Sequence, residues 1–183
     1  MAYKNIKNII ISTSCNLFSE KGYRNVSVNE ICSACSITKP TFYYHFKSKE
    51  DIIFEEFNNV MINSINTVSS ISRSRYGKNM VINGFECIYD EFSILGYDLI
   101  QNIIIGTLND IQRVFYFPEA FKKYIVSSIK KGQRDGSIQN STEPELLYDV
   151  CCHTFIGYIL FWCQHNGLTG EYRTMAQILS SVL

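Results

Sequence analysis

Net charge is missing from this chain: seventeen Lys/Arg balance seventeen Asp/Glu, and on that total alone a nucleic-acid partner would not be expected. No apolar stretch approaches the ~20 residues a membrane span requires, so no membrane segment is expected. Isoleucines and lysines occur near the start (Ile6, Ile9, Ile10), but Asn, Ser and Thr interrupt them before they form a signal-peptide core. There is no GxSxG, no HExxH and no phosphate-binding loop, and the three histidines lie far apart. No catalytic set emerges, so no enzyme is expected. The seven cysteines are odd in number and irregular in spacing, unlike a secreted disulfide framework. A reducing, cytoplasmic setting is the expectation.

The charge that is present is unevenly placed. Residues 1–50 carry seven Lys/Arg against three Asp/Glu, and residues 51–183 carry ten against fourteen. A basic head on an acidic body suits a head that meets phosphate. Apolar spacing is helical throughout, without strands or repeats, so the fold class expected is all-α. A first helix runs from about Asn5 to Lys21 and stops at Gly22, with Tyr23 folding back as the apolar contact of the cap.

The most specific stretch is Ser27–Asp51, SVNEICSACSITKPTFYYHFKSKED. Ser27 and Glu30 form a capping box for a short second helix. Ser36–Thr38 makes the turn, Thr38 is the N-cap of a third helix, and Pro40 falls in its first turn, where its missing N–H costs nothing. Ile31, Ile37, Phe42 and Phe46 point inward. Lys39, Thr41, Tyr43, Tyr44 and His45, followed by Lys47 and Lys49, are left on the outer face. Two short helices with a tight turn and an outward hydrogen-bonding face describe a helix-turn-helix. Such a recognition helix meets base edges with its N-terminal residues and phosphate with its flanks. Lys39 can pair with guanine O6/N7 and Thr41 can touch a thymine methyl.

ITKPTFYYHFKSKEDI resembles the recognition-helix signature of the TetR family of bacterial transcriptional repressors, and LFSEKGYRNVSVNEI resembles the family's first helix and its junction. Further on, KKGQRDGSI and a helix ending in FWCQHNG are weaker echoes. Ser36 stands where the family usually has glycine. The resemblance implies that Tyr43, Tyr44, His45 and Lys49 meet the sugar-phosphate backbone, with Ser27 beside them, and that Pro40 contributes shape. The DNA-binding set is therefore Ser27, Thr38, Lys39, Pro40, Thr41, Tyr43, Tyr44, His45 and Lys49. A helix-turn-helix domain at 1–47 and a helical effector-binding and dimerisation domain at 48–183 are expected.

In that body a long helix four starts near Ser48, and Ser69–Asn79 is read as a loop. Helices follow at Met80–Leu95 and Tyr97–Phe115, then from Pro118, then from Pro144 with Ser141 or Thr142 ahead of it, and finally at Glu171–Leu183. The helix from Pro144 is apolar nearly all round and must be covered on more than one side. The last two helices are expected to join their copies in a homodimer. Aromatics gather in the body, where two readings stand side by side. Phe85, Tyr89, Phe92, Phe155, Tyr158 and Trp162 are the walls of a small-molecule effector pocket, with Gly84, Gly96, Gly106 and Gly157 leaving room for it, or the body serves only dimerisation or a protein partner. Cys32 and Cys35 are expected to pack as small core residues. Cys151, Cys152 and His153 with Cys163 and His165 spread too far along a helix to converge on a metal. No metal or cofactor is expected, and the partners expected are double-stranded DNA, a second copy and an effector.

Overall fold

In the computed structural model, residues 2–71, 76–109, 117–168 and 173–183 are described, and among them every regular element is helical. The order is α1 (Ala2–Lys21), a 3₁₀ turn (Tyr23–Asn25), α2 (Val28–Ala34), α3 (Lys39–His45), α4 (Lys49–Ile71), α5 (Gly77–Leu95), α6 (Tyr97–Asn109), α7 (Glu119–Asp135), α8 (Pro144–Gln164) and α9 (Met175–Val182). The chain divides into two compact units, residues 1–59 with 95–115, and residues 60–94 with 116–183.

The first unit is built around short helices that need help at their ends. Seven residues are too few for α2 or α3 to persist alone. The Ser27–Glu30 capping box satisfies the start of α2 from both sides. Thr38 Oγ1 accepts from the Thr41 amide at the start of α3. Ile10, Phe18, Val26, Ile31, Phe42 and Phe46 close the core beneath. Gly22 takes φ 79°, its amide donates to the Phe18 carbonyl at 2.9 Å, and the Tyr23 ring meets Phe18 edge-on at 5.0 Å. α6 belongs to this unit by its contacts: the Tyr23 amide donates to the Asp98 carboxylate at 3.0 Å. Gly106 lies within the single helix α6, and a side chain there would run into the Phe54 ring, 2.9 Å from a Cβ.

The second unit is a bundle of longer helices around aromatic rings. Phe85, Phe92, Phe121 and Phe155 are fully buried with Ile88, Ile125 and Leu179. Gly77 sits so close to Gly132 that it could not carry a side chain without moving backbone, and a Cβ at Gly132 would run into the Ile138 side chain. Asp135 accepts from the Gly77 amide at 2.9 Å and Ser137 from the Lys78 amide at 3.1 Å, which fixes the start of α5 on the end of α7. A Cβ at Gly84 would come within 2.6 Å of the end of the Ile125 side chain. The glycines read as leaving room are thus, at Gly84 and Gly106, points of close packing.

Several boundaries differ from the sequence expectation. Ser69–Ile71 and Gly77–Asn79, expected in a loop, belong to the ends of α4 and α5. The start of α8 is capped by Glu143, whose side chain accepts the Leu146 amide at 3.0 Å, in place of Ser141 or Thr142. α9 opens on a capping box between Thr174 and Gln177, later than Glu171. The expected continuation of α6 to Phe115 lies outside the described residues. α8 does have the length and apolar composition of a membrane span, contrary to the expectation that no stretch comes near it. Half of that span is buried inside the unit.

Candidate nucleic-acid interface

The turn between α2 and α3 is made by a non-glycine residue in a glycine conformation. Ser36 has φ 53°, its amide donates to the Ser33 carbonyl at 3.2 Å, and the Ile37 amide reaches the Cys32 carbonyl at 2.9 Å. These are the paired bonds of a Schellman cap, in which the left-handed residue ends the helix and turns the chain. The turn hands the chain to Thr38, in extended conformation, and α3 starts at Lys39 with Pro40 in its first turn.

α3 divides cleanly into faces. Phe42 is fully buried, and Phe46 at the C-cap is nearly so. Ser27, Thr38, Lys39 and Pro40 are exposed, and Thr41 and His45 are half-buried. Tyr43 is 55% and Tyr44 69% exposed, which is unusual for side chains of that apolar area. The Tyr43 ring rests edge-on against Phe42 at 5.4 Å, and Tyr44 against His45 at 5.1 Å, so both aromatics are held outward on a packed base. The Thr38 and Thr41 hydroxyls bond each other at 2.9 Å. Eight of the nine expected residues are thus exposed or half-buried, one at the start of α2 and the rest at the N-cap of α3 and along it.

Lys49 is placed differently from that expectation. Its Nζ donates to the carbonyls of Tyr23 at 2.9 Å and Val26 at 3.0 Å, and it sits 4.3 Å from the centre of the Tyr23 ring. The Tyr23 hydroxyl donates to Glu50 at 2.8 Å. Lys49 thus ties the junction before α2 to the start of α4, and a phosphate would have to compete with two carbonyls for it. Glu30 has the same internal character. The Ser27 backbone amide first, and then the Lys21 ammonium at 3.2 Å, hold its carboxyl below the usual carboxylate value.

The six body aromatics come together, but against one another. Phe155 meets Phe85 at 5.4 Å and Phe92 at 6.0 Å between ring centres, and Tyr89 meets Tyr158 at 5.6 Å and Trp162 at 5.9 Å. The Trp162 indole donates to the Gly167 carbonyl at 2.8 Å. Burial first, and then the neighbouring Tyr89, push the Tyr158 hydroxyl up to about 12. Tyr158 also lines a hollow of about 310 Å³ with Thr154, Gly157, Phe161, Arg173 and Ile178. A second, more open groove of about 700 Å³ runs past Lys123, Lys130 and Arg134 to Glu145. Burial pushes the thiols of Cys151 and Cys152 up to about 12 and of Cys163 to about 11, so they stay protonated near neutrality. Among the described residues no group of three or more His, Cys, Asp or Glu side chains is arranged to hold a metal.

The family model for bacterial regulatory proteins of the tetR family matches residues 10–55, which contain the helix-turn-helix. The chain is 32% identical over 117 residues to the HTH-type transcriptional regulator YerO of Bacillus subtilis (strain 168), covering 60% of this chain and 40% of that protein's length. It is 30% identical over 147 residues to IcaR of Staphylococcus aureus (strain Newman), the negative transcriptional regulator of the biofilm operon icaADBC, covering 71% of this chain and 75% of IcaR. Among solved structures it superposes on Thermus thermophilus FadR, a TetR-family repressor in complex with lauroyl-CoA, with a TM-score of 0.70 at 18% identity, over 96% of this chain and 90% of that one. That likeness supports the fold, while the match to IcaR and the family model on the DNA-binding helices carry the assignment: the chain belongs to the TetR family of bacterial transcriptional regulators.

Proposed function

We propose that the protein is a ligand-responsive repressor, acting in the cytoplasm, that binds a two-fold symmetric operator as a homodimer and is released by a small molecule. The observation that carries the DNA reading is the outward row of Lys39, Pro40, Tyr43 and Tyr44 over the buried Phe42. Lys39, at the N-terminal end of α3, supplies a base-reading cation. Ser27, Thr38, Tyr43, Tyr44 and His45 supply hydrogen bonds and surface for sugar and phosphate, which position the helix without carrying sequence information. Lys49 acts in this reading by holding the α1–α2 junction, with phosphate contact as a second use of the same ammonium. The DNA-binding domain is assigned to residues 1–47 and effector binding and dimerisation to 48–183.

One such head buries too little surface for specific binding, and two-fold operators match two-fold proteins. α8 offers the means of pairing. Its inner face is buried in the unit, and its outer face exposes Leu146, Val150, Leu160 and Phe161. That FadR binds an acyl-CoA favours an effector in the body, where Phe85, Tyr89, Phe92, Phe155, Tyr158 and Trp162 would part to admit it. The contact of these rings with one another favours a second reading, in which the body only dimerises. Trp162 separates the two: saturable change of its fluorescence with a candidate effector, matched by weaker operator binding in the same concentration range, supports release by a ligand. The DNA reading is tested by anisotropy on selected operators, where Tyr43→Ala weakens binding on all sequences alike and lowers the log–log salt slope by about one. An unchanged slope and affinity would remove Tyr43 from the interface.

A further inference from the structure

α7 concentrates positive charge in an otherwise acidic body. Residues 51–183 carry ten Lys/Arg against fourteen Asp/Glu, and five of the ten lie on α7 with only two of the acids. Lys123, Ser127, Lys130 and Arg134 follow the spacing i, i+4, i+7, i+11, which keeps them on one face of the helix. They line the open groove of about 700 Å³, together with the buried Val126 and with Glu145 of α8.

A merely solvated helix face matches its cations with acids one turn away. On this face the matching is poor. Lys123 stands 3.9 Å from Glu119, and both side chains are mostly exposed. Lys130 meets Glu145 at 3.0 Å, but both are about half exposed, and a surface pair of that kind contributes at most ~1 kcal/mol, so a stronger anion can displace it. Arg134 donates from Nε to the Lys130 carbonyl at 3.2 Å and has no carboxylate partner among the described residues. Its two Nη groups are left for an anion, and a planar fork of that kind suits phosphate.

The cations fall into two stations. Lys123 with the Ser127 hydroxyl makes one, and Lys130 with Arg134 the other. Their midpoints are seven residues apart, or about 10 Å along the helix axis, too far for one phosphate to serve both. Val126 gives an apolar surface between them in sequence. Glu145, held to Lys130, penalises any anion too weakly charged to displace it. We propose that this groove binds a small molecule carrying two phosphate groups separated by an uncharged spacer, one at Lys123 and Ser127 and the other at Lys130 and Arg134. None of these side chains belongs to the aromatic ring cluster, so the inference stands apart from the effector reading above.

The test is isothermal titration calorimetry of the full chain at physiological ionic strength, with circular dichroism as the check of folding. Wild type, Lys123→Gln, Arg134→Gln and Glu145→Gln are compared, all at exposed or half-buried positions. Fructose 1,6-bisphosphate is expected to bind the wild type saturably, at least about tenfold more tightly than pyrophosphate or inorganic phosphate. Lys123→Gln and Arg134→Gln are each expected to weaken that binding roughly tenfold, as loss of a charge-assisted hydrogen bond does. Glu145→Gln, which lacks the competing carboxylate, is expected to tighten it. No binding of the bisphosphate by the wild type at millimolar concentration would overturn the proposal. Equal affinity in wild type, Lys123→Gln and Arg134→Gln would overturn it too, by placing the anion elsewhere on the chain, the DNA-binding helices included. Pyrophosphate bound as tightly as the bisphosphate would overturn the two separated stations.

Discussion

The DNA-binding helices and the body bundle solve the same problem, burying apolar faces of helices, by different means. α2 and α3 have seven residues each and depend on side-chain caps at Ser27 and Thr38, on the left-handed Ser36, and on polar ties such as Lys49 to the Tyr23 and Val26 carbonyls. α5, α7 and α8 have 17–21 residues and are held by rings at 5–6 Å and by the close approach of Gly77 to Gly132. Short helices must be specified locally, because too few of their residues reach a core. Long ones add a well-filled interior to the bonds at their ends. The first region therefore presents fixed polar atoms at its surface, and the second leaves Leu146, Val150, Leu160 and Phe161 of α8 exposed.

That contrast can be broken by single substitutions. The largest effect is expected in the body: Phe155→Ala removes the ring that joins Phe85 to Phe92 and costs about 3–5 kcal/mol in urea unfolding. A loss below about 1 kcal/mol would mean the ring cluster is loosely packed, as a ligand pocket would be. Ser27→Ala removes one half of the capping box and costs about 1 kcal/mol. Its signature is faster amide exchange at the start of α2, with α7 and α8 unaffected; equal loss of protection in both regions would deny their independence.

Acid should act on the head before the body's rings. Glu30 titrates below its usual value of 4.5 because the Ser27 amide and Lys21 bind its ionised form. A depressed native pKa gives stability that is fully present above that value and is lost as pH falls through the lower, native one. Amide exchange in α2 should therefore rise on acidification below pH 4.5, and Glu30→Gln should flatten that rise. The smallest expected change is a gain. Ser36→Gly relieves a left-handed serine and should stabilise the first unit by up to about 1 kcal/mol, since the extra freedom of unfolded glycine offsets part of the relief. A loss on that substitution would show that the serine side chain contributes something beyond the turn.

Much of the first region was legible because its determinants lie within four residues of one another: Ser27 with Glu30, Thr38 with Thr41, Gly22 with Phe18. The role of Lys49 was not, because its acceptors are 23 and 26 residues away in sequence. Nor was the grouping of α6 with the head, which turns on Asp98 and the amide of Tyr23, 75 positions apart. The start of α9 carried a readable signal in Thr174 and Gln177, obscured by the polar residues before it. Aromatic content marked the body segments correctly but does not distinguish a wall from a core. Glycine was misleading for a related reason. Gly84 and Gly106 are small because something else fills their space, and only coordinates distinguish them from Gly157.

The most direct measurement is selection of bound duplexes from a random DNA library by the wild type and by Lys39→Ala. The wild type is expected to return a two-fold symmetric motif, with half-sites about one helical turn apart. Lys39→Ala is expected to relax the preference at one position in each half-site, by about 1–3 kcal/mol if the contact is bidentate. A wild-type motif without symmetry, or one returned unchanged by Lys39→Ala, would contradict this reading.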